Sequence, residues 1–463
     1  MEETKNVKNE GARKGDYQET LAYLFGLQRF GIKLGLTNIS ALLKNFGDPH
    51  AGLPAVHIAG SNGKGSTAAF LTSMLRQAAY RVGLYTSPHL VDFNERIQVN
   101  GVPIPTGKVV HLTEQIRRAV ARTAKDGELW PTSDPEFFPE RFDPQKATIT
   151  FFEFTTAMAF LHFREERVDV AVLETGMGGR LDATNVIDPL LSLITPISME
   201  HQQYLGKTLI QIAEEKAGII KARRPLLTSA RQLQVLSLFR KRCRELHSPF
   251  YAWGKDFSAQ EVGPQVIHFQ GRSHRWSDLR LGLVGSHQVI NASLALGAVE
   301  VLMEYGFAVQ EDHLRRGLEE VKWPGRLELI EGHPRILLDG AHNPAATHVL
   351  KKALQKSFPR RQLLLVMGVM SDKAIPKMMA DLVPLADFLI LTRPRMDRAA
   401  SLELLHAQAS SFRKPTIEVP EVGQALGRAL NEAKDEDLIL VSGSLYTVGE
   451  ARAYLMSRGM IPS

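Results

Sequence analysis

Cysteine is nearly absent: among 463 residues there is one, Cys243, set in the charged stretch FRKRCREL. A disulfide framework and a cysteine-based metal centre are both excluded, and a reducing compartment fits. Long apolar runs are missing too, and none reaches the ~18 residues of a membrane-spanning helix. The opening stretch MEETKNVKNEGARKGDYQ lacks the apolar core of a secretory signal, so a cytoplasmic location is expected. Nor does one charge dominate: 56 Lys and Arg against 50 Asp and Glu leave a formal net charge of +6. Such an excess can attract anionic small molecules but is not the dense basic patch of a nucleic-acid binder, so neither nucleic acid nor membrane is expected as a partner. The remainder is an ordinary globular mixture, 44% hydrophobic and 23% charged, in a chain too long for one core.

The most informative stretch is VHIAGSNGKGSTAAFLTSML, Val56 to Leu75. An apolar, β-branched half reads as a strand and the last part has helical spacing, with Gly60, Gly63 and Gly65 around Lys64 in the turn between them. A strand-to-helix turn aims backbone N–H groups outward at the positive end of the helix dipole, and glycine lets a bulky anion approach them. Phosphate is the guest that such a turn suits. The usual phosphate-loop pattern is only partly met, since Ile58 stands where its first glycine would be and Gly65 follows the lysine directly. The variant still supplies a lysine for the terminal phosphates, with Ser66 or Thr67 for a metal ion or its water. A glycine-rich turn that binds nothing has the same local signature.

Further on, AVHIAG, RVGLYTS, VDVAVLETG and LLSLITPIS read as strands alternating with helices STAAFLTSMLRQAA, VVHLTEQIRRAVARTA, TFFEFTTAMAFLHFREE and TLIQIAEEKAGIIK. This predicts an α/β fold whose N-terminal phosphate-loop ATPase domain, residues 17–322, has a mainly parallel sheet, after a disordered tail, residues 1–16. The proline-rich and acidic segment from Leu129 to Gln145 reads as a long loop or insertion. Pro324 and Gly325 break the pattern in a hinge linker, residues 323–328. The rhythm then restarts in RILLDGAHNPAATHVLKKALQ, QLLLVMGVM, DFLILTRP and DLILVSGS, a smaller C-terminal Rossmann-like α/β domain, residues 329–463. Ligands of such sheets sit beyond the carboxyl ends of the strands, where YTS, LETG, TPISMEH, LLDGAHN and VSGS fall.

Single residues at those ends are ambiguous. Glu174 suits an acid that positions Mg²⁺ but equally a surface carboxylate, His201 is a lone loop histidine, and Asp339 before His342 could simply cap a helix. Lys216, in EEKAG, reads locally as one charge on a solvated helix face.

Taken together, the strings GSNGKGS, YTSPHLVDFNERIQVNG, TFFEF, LETGMGGRLDATN, ISMEHQQYLGKTLIQIAEEKAGIIK, WPGRLE, DGAHNP and VSGSLYTVGEAR resemble, in order, the folylpolyglutamate synthase and dihydrofolate synthase family of the Mur ligase superfamily. The resemblance implies an ATP-dependent carbon–nitrogen ligase that adds L-glutamate to dihydropteroate, to folates, or to both, through an acyl phosphate. We expect both, with polyglutamylation alone as the alternative, and a monomer. A ligase acting on UDP-muramyl substrates fits TSPHLVDFNERI and GMGGRLDATN less well, and a nucleotide switch would not need a second domain carrying DGAHNP. By position, the resemblance implies that Asn62, Gly63, Lys64, Gly65 and Ser66 hold the ATP phosphates and that Asn291 contacts adenine, while Arg326 and Asp339 reach the nucleotide from across the cleft. Mg²⁺ would be held by Ser87, Glu174 and His201, and Lys216 matches a lysine carried as a carbamate. The pterin substrate would lie near Ile32, Lys33 and Leu34, near Thr150, Phe151, Phe152 and Glu153, and near Leu181, Asp182 and Ala183. Lys33 departs from the acid that similar sequences often carry there. His342 is implied as a phosphate-side or catalytic helper.

Overall fold

The computed structural model describes residues 14–31, 33–125 and 149–462. Its first sheet holds β1 (Ala55–Ala59), β2 (Val82–Tyr85), β3 (Ile97–Val99), β4 (Val102–Pro103), β5 (Val170–Glu174), β6 (Leu191–Ile194), β7 (Leu226–Thr228) and β8 (Phe250–Ala252). Their order is β4-β3-β2-β5-β1-β6-β7-β8, parallel from β2 to β8, with β3 and β4 forming an antiparallel edge. β1, β5 and β6 are buried along their whole length, as expected of parallel strands covered on both faces. Alternate residues serve the two layers: Val170 and Val172 face a core with Phe70 and Met74, whereas Ala171 and Leu173 face one with Phe154 and Phe160. The first layer is built from helices Lys64–Gln77 and Ser286–Glu304, the second from Thr106–Lys125 and Phe151–Glu165.

A small antiparallel sheet, β9 (Ser258–Gly263), β10 (Val266–Gln270) and β11 (Arg275–Arg280), extends the first core with Ile267, Phe269 and Trp276. The sequence pattern had suggested nothing there. The second large sheet holds β12 (Glu328–Ile330), β13 (Arg335–Asp339), β14 (Leu363–Met367), β15 (Phe388–Arg393), β16 (Thr416–Glu421) and β17 (Leu438–Ser442). It runs β12-β13-β17-β14-β15-β16, parallel except for the edge strand β12.

Two expected boundaries move. Residues 14–16, expected in the tail, form the first turn of helix Lys14–Gly26, and Glu328, expected in the linker, already pairs with Leu338 in the second sheet. The insertion expected from Leu129 to Gln145 lies outside the described residues. Among the described residues no helix is long and apolar enough to cross a membrane.

Sheet order explains where the chemistry gathers. From β1 the chain crosses to β2 on one side, and from β5 it crosses back to β6 on the other, so β1 and β5 flank the point where the winding direction reverses. Ile58 pairs with Glu174 there, which brings the glycine turn after β1 beside the carboxylate ending β5.

Candidate active site

The glycines of the turn are required by its geometry. Gly60 has φ +148°, and a Cβ there would lie 1.7 Å from the Thr195 hydroxyl oxygen. Gly63, at φ +91°, would bring a Cβ within 2.4 Å of Asn291 Oδ1. Helix Lys64–Gln77 starts directly after it, so the free N–H groups of its first turn open on this loop. Lys64 Nζ donates to the Gly60 carbonyl at 2.9 Å and stands 3.8 Å from Glu174 Oε1. Gln288 donates from Nε2 to Ser66 Oγ at 3.4 Å and accepts at Oε1 from Asn291 Nδ2 at 2.9 Å, which seats the start of helix Ser286–Glu304 against the turn. Trp323 lies over Gly65, whose added Cβ would be 3.0 Å from the indole.

Burial pushes the Glu174 carboxyl above its usual range, against the opposing pull of Lys64 and Arg326. Among the described residues its Oε2 accepts from the Ser87 N–H at 3.4 Å while Oε1 faces Lys64, which leaves the carboxylate room for a further partner. His201 has φ +45° and a pKa lowered to about 4, first by burial and then by Lys373, Lys64 and Lys216, with Glu200 opposing. It is therefore a neutral imidazole near pH 7, the form that ligates metals. A carboxylate, a hydroxyl and a neutral imidazole are a donor set compatible with Mg²⁺ that keeps part of its water shell. Among the described residues no three His, Cys, Asp or Glu side chains form a metal cluster by themselves.

The structure overturns the local reading of Lys216. It is 1% exposed, whereas Glu214 on the same helix faces solvent. Its Nζ donates to the Gly60 carbonyl at 2.9 Å and pairs with Glu200 at 2.7 Å. The two lysines thus converge on one carbonyl of the phosphate turn. Burial lowers the Lys216 pKa, and burial of Glu200 is outweighed by Lys216 and Lys64, which hold its carboxyl at about 2.

From the second sheet, Asp339 accepts from the N–H groups of Leu327 at 2.9 Å and Ala341 at 3.0 Å, bracing the linker. His342 Nδ1 lies 2.8 Å from the Gly340 carbonyl, which can only accept, so Nδ1 carries the proton and Nε2 is bare. Burial lowers its pKa to about 4. Asn343, which sequence reasoning passed over, caps helix Pro344–Ser357 through Oδ1 and donates from Nδ2 to Asn62 Oδ1 at 2.9 Å. That bond ties the second sheet directly to the phosphate turn. Lys373, also passed over, adds positive charge near His201 and His342. A cleft of about 190 Å³, lined by Gly65, Ser87, Glu174, Trp323 and Arg326, lies between the two units.

The residues expected on the pterin side divide. Ile32 lies outside the described residues, Leu34 is half-buried, and Lys33 lies close enough to Glu153 to feel its charge. Thr150 and Glu153 form a capping box, with Thr150 Oγ1 donating to Glu153 Oε2 at 2.7 Å, so both side chains are engaged by their own helix. Asp182 is occupied likewise, accepting from the N–H groups of Met177 at 2.9 Å and Thr184 at 3.1 Å, while Leu181 and Ala183 flank it in the same loop. Phe152 packs on Gly176 and near Tyr85. Phe151 stacks on Phe25 at 5.9 Å between ring centres, with the Arg96 guanidinium 5.0 Å over its own ring. This aromatic patch includes Phe25 and Arg96, neither of which sequence reasoning selected.

A phosphate turn in one α/β unit, met across a cleft by charged and amide groups of a second, defines a two-domain ATP-dependent amino-acid ligase. Comparison with known families agrees: residues 113–299 match the Mur ligase middle domain and residues 325–445 the Mur ligase glutamate ligase domain. The chain is 34% identical over 446 residues to the dihydrofolate synthase/folylpolyglutamate synthase of Bacillus subtilis, covering 95% of this chain and 99% of that one. Its fold superposes on Mycobacterium tuberculosis folylpolyglutamate synthase complexed with ADP with a TM-score of 0.85 at 33% identity, covering 95% and 98% of the two chains. For E. coli FolC in complex with DHPP and ADP the TM-score is 0.82 at 29% identity, again over 95% and 98%. The chain belongs to the dihydrofolate synthase/folylpolyglutamate synthase family of Mur ligases.

Arg326 offers a direct test of a shared nucleotide site. Its guanidinium lies against Gly340, 3.3 Å from where a Cβ would stand, and its charge acts on both Glu174 and Asp339. Arg326→Ala is expected to lower kcat/KM for ATP by about 100-fold, or ~2.7 kcal/mol. Steady-state kinetics over a range of ATP concentrations measure this, and an unchanged rate and ATP dependence would exclude a nucleotide shared between the units.

Proposed function

We propose that this ligase adds L-glutamate both to dihydropteroate and to folates that already carry glutamate, using one ATP site and an acyl phosphate intermediate. The observation that carries the proposal is the convergence at the phosphate turn of Lys64, Glu174 and, through the Asn343–Asn62 bond, the second unit. The dual name of the Bacillus relative and the FolC structure holding DHPP and ADP together support the choice of acceptors.

A carboxylate is a poor electrophile. Its oxygen therefore attacks the γ-phosphorus of ATP, the bond to the β–γ bridging oxygen breaks, and ADP leaves. Lys64 and the N–H groups opening the helix neutralise charge on the moving phosphoryl group. Ser87, Glu174 and His201 would hold Mg²⁺, which when bound supplies further neutralisation at the phosphates. The amine of glutamate then attacks the acyl carbon, an amide forms, and the carbon–oxygen bond breaks to release inorganic phosphate. His342, whose bare Nε2 can accept, would serve as a phosphate-side or catalytic helper, and solvent or product phosphate can take the proton that the amine loses. No side-chain nucleophile takes part. The aromatic patch of Phe25, Phe151 and Arg96 suits a flat heteroaromatic acceptor. Closing the cleft keeps water from the acyl phosphate.

The test is ADP release with dihydropteroate and with tetrahydrofolate offered separately, each with and without glutamate, and products read by mass spectrometry. Both acceptors are expected to turn over only when glutamate is present, each product heavier by one glutamyl residue. Turnover of tetrahydrofolate alone would leave polyglutamylation as the activity.

A further inference from the structure

The loop between β2 and β3 links the metal-side residues to the second unit. Its base is closed by a bond from the Thr86 N–H to the Arg96 carbonyl at 3.0 Å. Inside it the Glu95 carboxylate gathers the N–H groups of Leu90, Val91 and Asp92 at 2.6, 3.0 and 2.9 Å, and Arg96 Nε donates to His89 Nδ1 at 2.8 Å. A loop clamped this way moves as one piece. One end presents Ser87 to Glu174, and the apex presents Leu90 to the second unit.

Leu90 is there a foreign side chain, half-buried against another unit's core. It packs against the cluster that contains Ile330, Leu338 and Val448. It also abuts the hinge glycine: a Cβ on Gly325 would be 3.2 Å from both Leu90 methyl carbons. Its carbonyl makes the closest approach, since a Cβ on Gly449, in helix Leu445–Ser457, would lie 1.9 Å from that oxygen. The Leu90 oxygen is a backbone atom and a Cβ is fixed to its own backbone, so neither can swing away. Glycine inside a helix is a poorer helix former than alanine, and what it permits here is contact of the helix with the loop. One turn further along, Arg452 Nε donates to Glu328 Oε1 at 3.2 Å, while Glu328 Oε2 accepts from the Gly325 N–H at 2.8 Å. The same helix is thereby tied to the hinge.

We propose that the Leu90 carbonyl and Gly449 form the seat on which the two units close, making both of them positioning residues that set Ser87 and Glu174 relative to the second unit. A side chain at 449 would hold the cleft ajar without touching the nucleotide-binding turn. Rate then falls because the acceptor, the ATP and the second unit's groups no longer meet, while nucleotide affinity for the first unit persists.

The test compares wild type, Gly449→Ala, Leu90→Ala and Leu90→Met in the full chain. Gly449→Ala is expected to lower kcat by about tenfold or more with either acceptor, with ADP affinity by calorimetry within about threefold of wild type. Its circular dichroism should match that of wild type, alanine being the better helix former, and small-angle scattering with ATP and acceptor should give a larger radius of gyration. Leu90→Ala should show the same loss of rate and compaction, and Leu90→Met should restore most of both. Wild-type turnover in Gly449→Ala, or a reduced rate with wild-type compaction, overturns the proposal. Should Gly449→Ala fail to fold, Leu90→Ala decides by the same readouts. The kinetic arm rests on the ligase reading, but the scattering arm does not, so an inactive wild type would refute that reading and leave compaction to judge the seat.

Discussion

Replacement of Lys64 by alanine is expected to reduce glutamate-dependent ADP release by about 1,000-fold or more with both acceptors, roughly 4 kcal/mol of transition-state stabilisation. The lysine is 16% exposed and donates to the Gly60 carbonyl, and no element of the core is built on its side chain. What it does have is a position at the opening of the phosphate turn, 3.8 Å from Glu174, where a phosphoryl group in transit would meet it. Removing it also strips Glu174 of the cation that opposes its burial, which compounds the loss. Circular dichroism should report an intact fold. Undiminished turnover in the variant would refute the phosphate-turn assignment.

Lys216→Ala is expected to lose about 100- to 1,000-fold in turnover, the scale of removing one preorganised charge from such a site, and to recover partly in concentrated acetate. The family resemblance implies that this lysine carries a carbamate, formed when the neutral amine adds CO₂ and releases a proton. Burial at 1% exposure favours the neutral amine that this addition needs. The product would place two anions, the carbamate and Glu200, where the unmodified side chain makes a 2.7 Å ion pair. Such a pair needs a cation between or beside them, and His201 follows Glu200 directly. If Lys216 instead served only as an ammonium tying Glu200 to Gly60, its loss would break a buried pair at about 3–5 kcal/mol of stability, and acetate would restore nothing. Thermal unfolding and acetate titration separate the two roles, and a wild-type rate would remove both.

The alternation of strand and helix was legible because β1, β5, β6, β13, β14 and β17 are mostly apolar on both faces, as a sheet covered on both sides requires. The antiparallel sheet of β9 to β11 was not, because its strands mix charged and apolar residues around Trp276 and Phe269 and bury one face only against a core built elsewhere in the chain. Lys216 was misread for a related reason. Local charge pattern places it with Glu214 and Glu215 on a wet face, whereas its burial depends on Glu200 and on Gly60, 156 residues away. Asn343, passed over in the sequence, caps helix Pro344–Ser357, and that the same amide also reaches Asn62, 281 residues away, has no local signature.

By itself the sequence determined the strand-to-helix phosphate turn, the two α/β units and, through long ordered strings, the family. These are local matters: which residues tolerate φ above zero, which runs demand burial, which residue types suit a phosphate. The tertiary structure alone decided that Lys64 and Lys216 meet at one carbonyl, that Thr150, Glu153 and Asp182 are held by neighbouring groups of the protein, and that Leu90 packs against the core of the other unit. Each of these depends on which surfaces pack together, and packing joins residues by shape and charge across distances in the chain that no local pattern encodes.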